Sequence, residues 1–185
     1  MATAAHLWGV AMETGRLLTT SRLIMAPHGK ADFADLAAMW ADPAVVRLLG
    51  GVPASAEDNW ARLLRYAGSW SMLGYGFWCV RHRHTGAYLG DVGFLDAKRT
   101  GVEGFDGDPE IGWSLNTAAH GKGYASEAVQ AALGWGAARF GRTVAMINPL
   151  NTASEAVARR NGFVHFADSR YKDAATGLWE YRWRR

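Results

Sequence analysis

The chain has 185 residues, enough for one domain with a substantial core, and its 49% apolar and 20% charged content is typical of a soluble globular protein. No stretch is long and apolar enough to predict a membrane-spanning helix, and the N-terminus lacks the basic start and apolar block of a secretory signal, so we expect a cytoplasmic protein. The net charge of +3 is dispersed, which disfavours a nucleic-acid-binding surface, and the single cysteine, Cys79, excludes an internal disulfide.

The first half of the chain predicts three helices and three strands. An apolar stripe with helical spacing begins at Phe33, an N-cap followed by proline stands at Asp42-Pro43, and Ser55 with Asp58 predicts a capping box. The third helix is expected to bury Trp60, Leu63, Leu64 and Ala67. The predicted strands are 22–25, 76–82 and 87–95, and a hairpin turn joins the last two.

The second half predicts four strands and two helices after a glycine- and aspartate-rich loop. The strands are expected at 110–115, 143–147, 163–166 and 178–183, and the helices at 123–140 and 152–160. Helices and strands do not alternate strictly, which favours a mixed α/β sheet. We find no repeat and no linker, so 20–185 is predicted to be a single domain, with 1–19 as an N-terminal extension.

A glycine-rich turn lies between the predicted strand 110–115 and the helix that follows it. Residues 120–125 read HGKGYA. Such a turn exposes unpaired backbone N–H groups at the positive end of the helix dipole, where phosphate oxygens bind. Neither a Walker motif nor the dinucleotide fingerprint fits, because Gly123 follows the lysine and Ser126 stands at the third glycine position. The turn therefore indicates either a phosphate-bearing ligand or a tight loop without one.

A second group of polar residues follows the predicted strand 143–147. The segment 151–154, Asn-Thr-Ala-Ser, opens the next helix, and Asn-Gly-Phe closes it at 161–163. Thr152 with Glu155 predicts a capping box, which accounts for those two residues without any ligand. The capping box does not account for Asn151 and Ser154 in combination with the Asn-Gly-Phe triplet at 161–163.

Together these motifs resemble the GNAT superfamily of acyl-CoA-dependent N-acetyltransferases, and within it the branch typified by ribosomal-protein N-terminal acetyltransferases. The resemblance covers about residues 20–184 and is carried by the order and spacing of its parts. Those parts are 20–23 (opening strand), 110–113 (fourth strand), 120–128 (pyrophosphate loop and helix start), 151–154 and 161–163. Two segments depart from the usual pattern: Arg160-Asn161-Gly162-Phe163 stands where Lys-Leu-Gly-Phe is commoner, and Pro149-Leu150 replaces a frequent acidic residue.

The resemblance implies an α/β (α+β) fold with a mixed, mostly antiparallel twisted sheet of about six to seven strands and about four flanking helices. The fourth and fifth strands splay apart, and acetyl-CoA binds in the gap as a co-substrate, without a metal. The glycine turn would hold the pyrophosphate, while the fourth-strand backbone and the Asn151 side chain would bind pantetheine. The residues implied to bind acetyl-CoA are Trp113, Ser114, Leu115, His120, Gly121, Lys122, Gly123, Tyr124, Ala125, Asn151 and Ser154.

Direct transfer of acetyl to a primary amine in a ternary complex needs a proton acceptor, a donor to the carbonyl oxygen and a donor to the leaving sulfur. Glu110 is the candidate base, because strand alternation places it on the face of Gly112 and Ser114; a structural carboxylate is the alternative. Ser154 is the candidate near the sulfur, with helix capping as its alternative. Backbone N–H groups at a bulge in the fourth strand are expected to stabilise the oxyanion.

The amine acceptor is open between protein N-termini, aminoglycosides, polyamines and small metabolites. Glu103, Asp106, Asp108 and Glu110 suggest a negative rim that would attract a cationic amine, with a solvated loop as the alternative. A non-catalytic acyl-CoA-binding or sensing domain and an RNA- or ribosome-associated module are the other candidate functions. We expect no direct nucleic-acid or membrane contact, and either a monomer or a homodimer.

Overall fold

The computed structural model describes residues 15–105 and 107–184, which form one sheet with helices on both faces. The strands are β1 (Leu18–Thr19), β2 (Leu23–Pro27), β3 (Phe77–His82), β4 (Tyr88–Leu95), β5 (Glu110–Leu115), β6 (Arg142–Ile147), β7 (Val164–Tyr171) and β8 (Ala174–Arg182). The helices are α1 (Phe33–Ala41), α2 (Pro43–Val46), α3 (Ala56–Leu73), α4 (Tyr124–Gly136) and α5 (Thr152–Arg160). None of these helices is long and apolar enough to cross a membrane.

The predicted mixed, mostly antiparallel sheet is confirmed, with eight strands and five helices in the described ranges instead of six to seven and four. The additional strand, β1, falls within the predicted extension 1–19, of which 1–14 lie outside the described residues. Leu18 and Thr19 pair with Met25 and Ile24 of β2, so the described end of that segment is part of the sheet.

The predicted splay is confirmed between β5 and β6, the fourth and fifth strands when the two-residue β1 is left out. The strand order is β1-β2-β3-β4-β5-β6-β8-β7, and only β5 and β6 are parallel. Their single register pair is Glu110 with Val144. Beside it the carbonyl of Pro109 accepts from Val144 N at 3.2 Å and Thr143 Oγ1 at 2.7 Å. Beyond this junction the facing edges of the two strands separate and leave a gap.

The two faces of the sheet carry separate hydrophobic clusters, as alternation along β3 illustrates. Phe77 and Cys79 belong to the cluster with α1, α2 and α3, whereas Trp78 and Val80 belong to the cluster with α4. Trp78 is fully buried, and truncating such a residue to alanine costs about 3–5 kcal/mol. The small residues of α4 that face the sheet, among them Ala128 and Ala132, are also fully buried, so this helix lies close to the strands.

The predicted buried stripe of α3 is wrong for all but Leu63. Trp60 and Leu64 are 38% and 54% exposed, whereas Tyr66 and Trp70 are buried. The two buried rings meet β3: Tyr66 stacks on Phe77 at 4.5 Å, and the Trp70 indole donates to the Phe77 carbonyl at 2.9 Å. Contact with the sheet therefore orients the helix by its large aromatics, and the predicted stripe is rotated out to solvent.

Two other boundaries differ from the predicted ones. α4 ends at Gly136 instead of at 140, and Trp183 packs so tightly on Gly136 that a Cβ there would lie 2.7 Å from the indole. The last two strands are longer than predicted and form a hairpin. Its turn places Lys172 and Asp173 at φ of 49° and 64°, a conformation that no glycine in the sequence signals.

Candidate active site

The first part of the candidate site is the glycine turn before α4. Gly121 and Gly123 have φ of 72° and 80°, values that other residues rarely adopt, so the two glycines allow the sharp entry into the helix. Gly123 is the N-cap, and no side chain caps the helix there. The first backbone N–H groups of this 13-residue helix are therefore available to an anion at the positive end of the dipole.

Arg22 and Glu127 hold this turn from the side of β2. Arg22 Nε and Nη2 both lie 2.6 Å from Glu127 Oε2, and Arg22 Nη1 donates to the Lys122 carbonyl at 2.9 Å. Thr20 Oγ1 donates to Glu127 Oε1 at 2.5 Å. Burial acts to raise the pKa of Glu127, but the hydrogen bonds from Thr20 and Arg22 outweigh it, and the net shift is downward. The glutamate in the first turn of α4 is thus ionised but neutralised, so it does not repel an anion at the turn.

A cavity of about 490 Å³ is lined by the end of β5, the glycine turn and α5. Ten of the eleven residues expected to bind acetyl-CoA line it: Trp113, Ser114, Leu115, His120, Gly121, Gly123, Tyr124, Ala125, Asn151 and Ser154. Lys122 is not among the lining residues. Arg47 and Arg160, which the sequence reasoning missed, also line the cavity and form no ion pair within the described ranges.

Asn151 and Ser154 occupy the N-terminus of α5, where the predicted capping box of Thr152 and Glu155 is wrong. Asn151 is the N-cap, and its Oδ1 accepts from Ser154 N at 3.0 Å. Ser154 Oγ accepts from the Trp113 indole at 3.3 Å, across the gap between the strands. The capping amide leaves Asn151 Nδ2 free to donate into the cavity, and the hydroxyl of Ser154 keeps its own proton for donation.

The predicted bulge in β5 is wrong. β5 pairs with β4 in one continuous register from Gly90–Leu115 to Leu95–Glu110. The irregularity in this part of the sheet lies in β3, between Val80 and Arg81. Any oxyanion donor on β5 must therefore come from its free edge along the gap.

A second cavity, of about 450 Å³, lies on the other side of the gap. The two cavities meet where β5 and β6 part, because they share the lining residues Leu48, Leu49, Trp113, Ser114, Asn151 and Ser154. Glu110 lines the second cavity and not the first.

Glu110 is held by Arg99 in a two-pronged ion pair. Arg99 Nε donates to Oε2 at 2.8 Å and Nη2 to Oε1 at 2.7 Å. The Glu110 side chain is 9% exposed, and Arg99 in turn lies over the Tyr171 ring at 4.6 Å. The hydrogen bond to Glu110 raises the pKa of Arg99 further above its usual value. Both carboxylate oxygens are therefore occupied, and proton acceptance by Glu110 has to proceed beside a fixed positive charge.

Comparison with known proteins identifies the family to which this architecture belongs. The family model of the acetyltransferase (GNAT) domain matches residues 22–164. The chain belongs to the GNAT acetyltransferase family. A GnaT-family protein from Bordetella pertussis is 32% identical, with a TM-score of 0.78 over 89% of this chain and 98% of that one. An acetyltransferase from Agrobacterium tumefaciens str. C58 is 26% identical, with a TM-score of 0.78 over 90% and 94%.

Other relatives of this GNAT protein are more distant or are matched over less of their length. RimL, a ribosomal L7/L12 alpha-N-protein acetyltransferase solved with coenzyme A, shares the fold at 19% identity, with a TM-score of 0.75 over 90% of this chain and 98% of that one. YkkB, an uncharacterized protein of Bacillus subtilis (strain 168), is 34% identical over 98 residues. That match spans 51% of this chain and about half, 54%, of YkkB.

A buried polar cluster beside the second cavity of this GNAT acetyltransferase was not predicted from the sequence. Asp91 is fully buried, and Tyr88 Oη donates to its Oδ1 at 2.6 Å. His28 Nε2 lies 2.8 Å from the same oxygen, and the Trp40 indole donates to Oδ2 at 3.2 Å. Burial, followed by the charge of Asp91, raises the pKa of Tyr88, so the phenol remains a donor. The cluster fixes Trp40, which lines the second cavity.

The remaining candidate residues lie elsewhere or are engaged in other contacts. Asp108 pairs with Arg142 at 2.7 Å, and Glu110 pairs with Arg99. Glu103 lines neither cavity and Asp106 lies outside the described residues, so nothing here supports the negative rim. His120 Nε2 lies 2.9 Å from the Leu115 carbonyl. In the described ranges no group of three or more His, Cys, Asp or Glu residues could hold a metal ion. Cys79 is buried, and this burial raises the pKa of its thiol.

Proposed function

We propose that this GNAT acetyltransferase moves the acetyl group of acetyl-CoA to a primary amine by direct attack in a ternary complex. The observation that carries the proposal is the meeting of two cavities at the gap between β5 and β6. One cavity adjoins an uncapped helix N-terminus, and the other adjoins Glu110. Two substrates approaching from opposite faces of the sheet would therefore meet at Trp113, Ser114 and Ser154.

The first cavity suits coenzyme A by its chemistry. The N–H groups at 124–126 and the open space beside Gly121, where a Cβ would meet nothing within 4 Å, suit a pyrophosphate. Arg47 and Arg160 add positive charge along the same wall. The free edge of β5 and the Asn151 amide suit the peptide-like pantetheine arm, which carries amide donors and acceptors of its own.

The reaction forms a bond from the amine nitrogen to the acetyl carbonyl carbon and breaks the carbon–sulfur bond of the thioester. The attacking amine must be uncharged, so it gives one proton to solvent before attack and a second to the base afterwards. We assign Glu110 as that base, acting directly or through water. A structural carboxylate that only pairs with Arg99 is the alternative role. Ser154 Oγ would donate to the departing thiolate, since its lone pairs already accept from Trp113.

A panel of amines tests this proposal. Purified protein is incubated with acetyl-CoA and each amine, thiol release is followed with time, and the acetylated amine is identified by intact mass. Calorimetry measures acetyl-CoA binding in parallel. Turnover of any amine supports the enzyme. Binding of acetyl-CoA without turnover of any amine favours the sensing function, and no binding at millimolar acetyl-CoA and low salt contradicts both.

A further inference from the structure

The second cavity is strongly cationic for a site that receives an amine. Its lining includes four cationic side chains, Arg62, Arg65, Arg99 and Lys172, against one carboxylate, Glu110. Arg99 and Glu110 neutralise each other, so the remaining charge of the lining is positive. A cavity of this charge repels polyamines and other polycations and attracts anions.

Arg62 and Arg65 are the cations best placed to act on a ligand. They stand three residues apart on α3 and therefore share a helix face. Neither forms an ion pair with a carboxylate in the described parts of the chain. Arg62 Nη1 donates to Asn59 Oδ1 at 2.9 Å, which occupies only one of its five N–H groups.

The Arg62 guanidinium is held in a fixed position before any ligand arrives. It lies over the Trp40 ring, 3.6 Å from the ring centroid. Trp40 is itself held by its hydrogen bond to the buried Asp91. The Asp91 carboxylate already accepts from Tyr88 and Trp40 and contacts His28. A planar guanidinium stacked in this way presents its edge as a fork that matches a carboxylate or a phosphate.

We propose that the acceptor is a small primary amine that also carries a carboxylate or phosphate group, and that Arg62 and Arg65 bind this group. The inference rests on the proposed function and narrows its substrate class. A cavity of about 450 Å³ is the size of a small-ligand site. Anchoring the anion on α3 leaves the amine end of the molecule free to reach Glu110 and the gap.

Matched acceptor pairs test the proposal. One arm compares an amino acid with its carboxamide, a second compares ethanolamine phosphate with ethanolamine, and spermidine serves as the polycation. Values of kcat/KM are compared across pH at equal concentrations of uncharged amine, because removing the anion also changes the amine pKa. We expect the anionic member of at least one pair to be preferred by about 10- to 100-fold, mainly through a lower KM. The arm with the larger ratio identifies carboxylate or phosphate as the group bound.

Variants of the two arginines locate the effect. Arg62→Gln and Arg65→Gln should each lower the anionic preference about tenfold, and Arg65→Glu should reverse it. Arg139→Gln is the matched control, because Arg139 also stacks on a tryptophan, at 3.8 Å from Trp135, but lies outside both cavities. Thermal melts and acetyl-CoA affinity are measured for each variant. If Arg62→Gln fails to fold, the exposed Arg65 carries the test.

Three results overturn the inference. The first is a wild-type enzyme that uses neutral amines or spermidine as well as the anionic amines, which leaves the proposed function standing. The second is an anionic preference unchanged by all the arginine variants, which removes Arg62 and Arg65 from the site. The third is acetyl-CoA binding with no turnover of any amine, in which case the proposed function fails as well.

Discussion

The two cavities are assembled in different ways, although they share the wall between them. The first is lined by three short segments of the chain, 113–126, 151–160 and 44–49, the last of which spans the end of α2 and the residues after it. The second draws residues from α1, α3, six strands and the β7–β8 turn. The cavity proposed for the co-substrate is therefore built from a few local segments, whereas the cavity proposed for the acceptor exists only after the sheet has formed. Substitutions in the first cavity should therefore change the binding of coenzyme A. Substitutions in the second should change the selection and deprotonation of the amine.

The largest effect is expected at Glu110, on the acceptor side. If it is the base, Glu110→Gln should lower kcat by about 100- to 10,000-fold and leave acetyl-CoA affinity unchanged. Arg99→Gln is the paired control, since breaking a buried ion pair from either side destabilises the fold by about 3 kcal/mol. Steady-state kinetics and thermal unfolding are measured for both variants. Equal losses of kcat in the two would make Glu110 a structural carboxylate.

A substitution in the glycine turn should affect only the first cavity, where acetyl-CoA is proposed to bind. Gly121→Val should weaken acetyl-CoA binding about 100-fold, or about 2.8 kcal/mol, by putting a branched side chain into the space beside α4. Gly86→Val is the matched control, because Gly86 has the same φ of 72° and open surroundings in the β3–β4 hairpin. Both variants should lose about 1–2 kcal/mol of stability from backbone strain. Calorimetry with acetyl-CoA that shows equal affinity for the two would contradict the assigned ligand site.

Ser154 lies on the shared wall and should affect turnover without affecting either substrate's binding. Ser154→Ala should reduce kcat about 10- to 100-fold if the hydroxyl donates to the leaving sulfur. Trp113→Phe removes the indole N–H that points at Ser154 Oγ and should produce a smaller loss. Stopped-flow measurements follow single turnovers of each variant with acetyl-CoA and with an analogue in which an oxygen ester replaces the thioester. A loss in Ser154→Ala that appears only in the Kd of acetyl-CoA would make the hydroxyl a binding group.

The smallest effect is expected at the Arg22–Glu127 pair, which supports the turn without lining the cavity. Because the pKa of Glu127 is lowered in the folded state, the pair stabilises the fold fully above the ordinary value of 4.5, and this contribution is lost as pH falls through the folded value. Glu127→Gln should therefore cost about 1–2 kcal/mol at pH 7 and progressively less below pH 4.5. Urea unfolding of wild type and variant, at pH 7 and at a pH below 4.5, measures this difference in the free energy of unfolding. A difference that stays constant with pH would exclude the carboxylate charge as its source.

Periodicity and turn chemistry were sufficient to predict most of the fold from sequence. β5 and α5 have the predicted bounds, and β3 and β4 differ by one residue at one end. The buried face of α3 was not predictable, because Trp60 and Leu64 satisfy helical spacing as well as Tyr66 and Trp70 do. Only the rings of β3 decide which stripe is covered.

The residues of the candidate site likewise divide into those that could be predicted from the sequence and those that could not. The glycine turn and Asn151 could be found because glycine and helix-capping residues leave local signals. Arg99, Asp91 and Arg62 carry no such signal, since each acts through a partner on another part of the chain: Glu110, His28 and Trp40, respectively. An arginine that stacks on Trp40 reads in the sequence as an ordinary charged residue on an exposed helix face.

The junction at Pro109 has a thermodynamic consequence for the sheet. Strand pairing stops there after one residue pair, so the rungs that would join β5 to β6 farther along are never formed. Each such rung is worth about 1 kcal/mol to an ordinary sheet. Beyond the junction the sheet therefore lacks several such contributions. Under the proposed function, a pantetheine arm that pairs with this edge would supply hydrogen bonds in place of those rungs, so acetyl-CoA would stabilise the fold as well as serve as co-substrate.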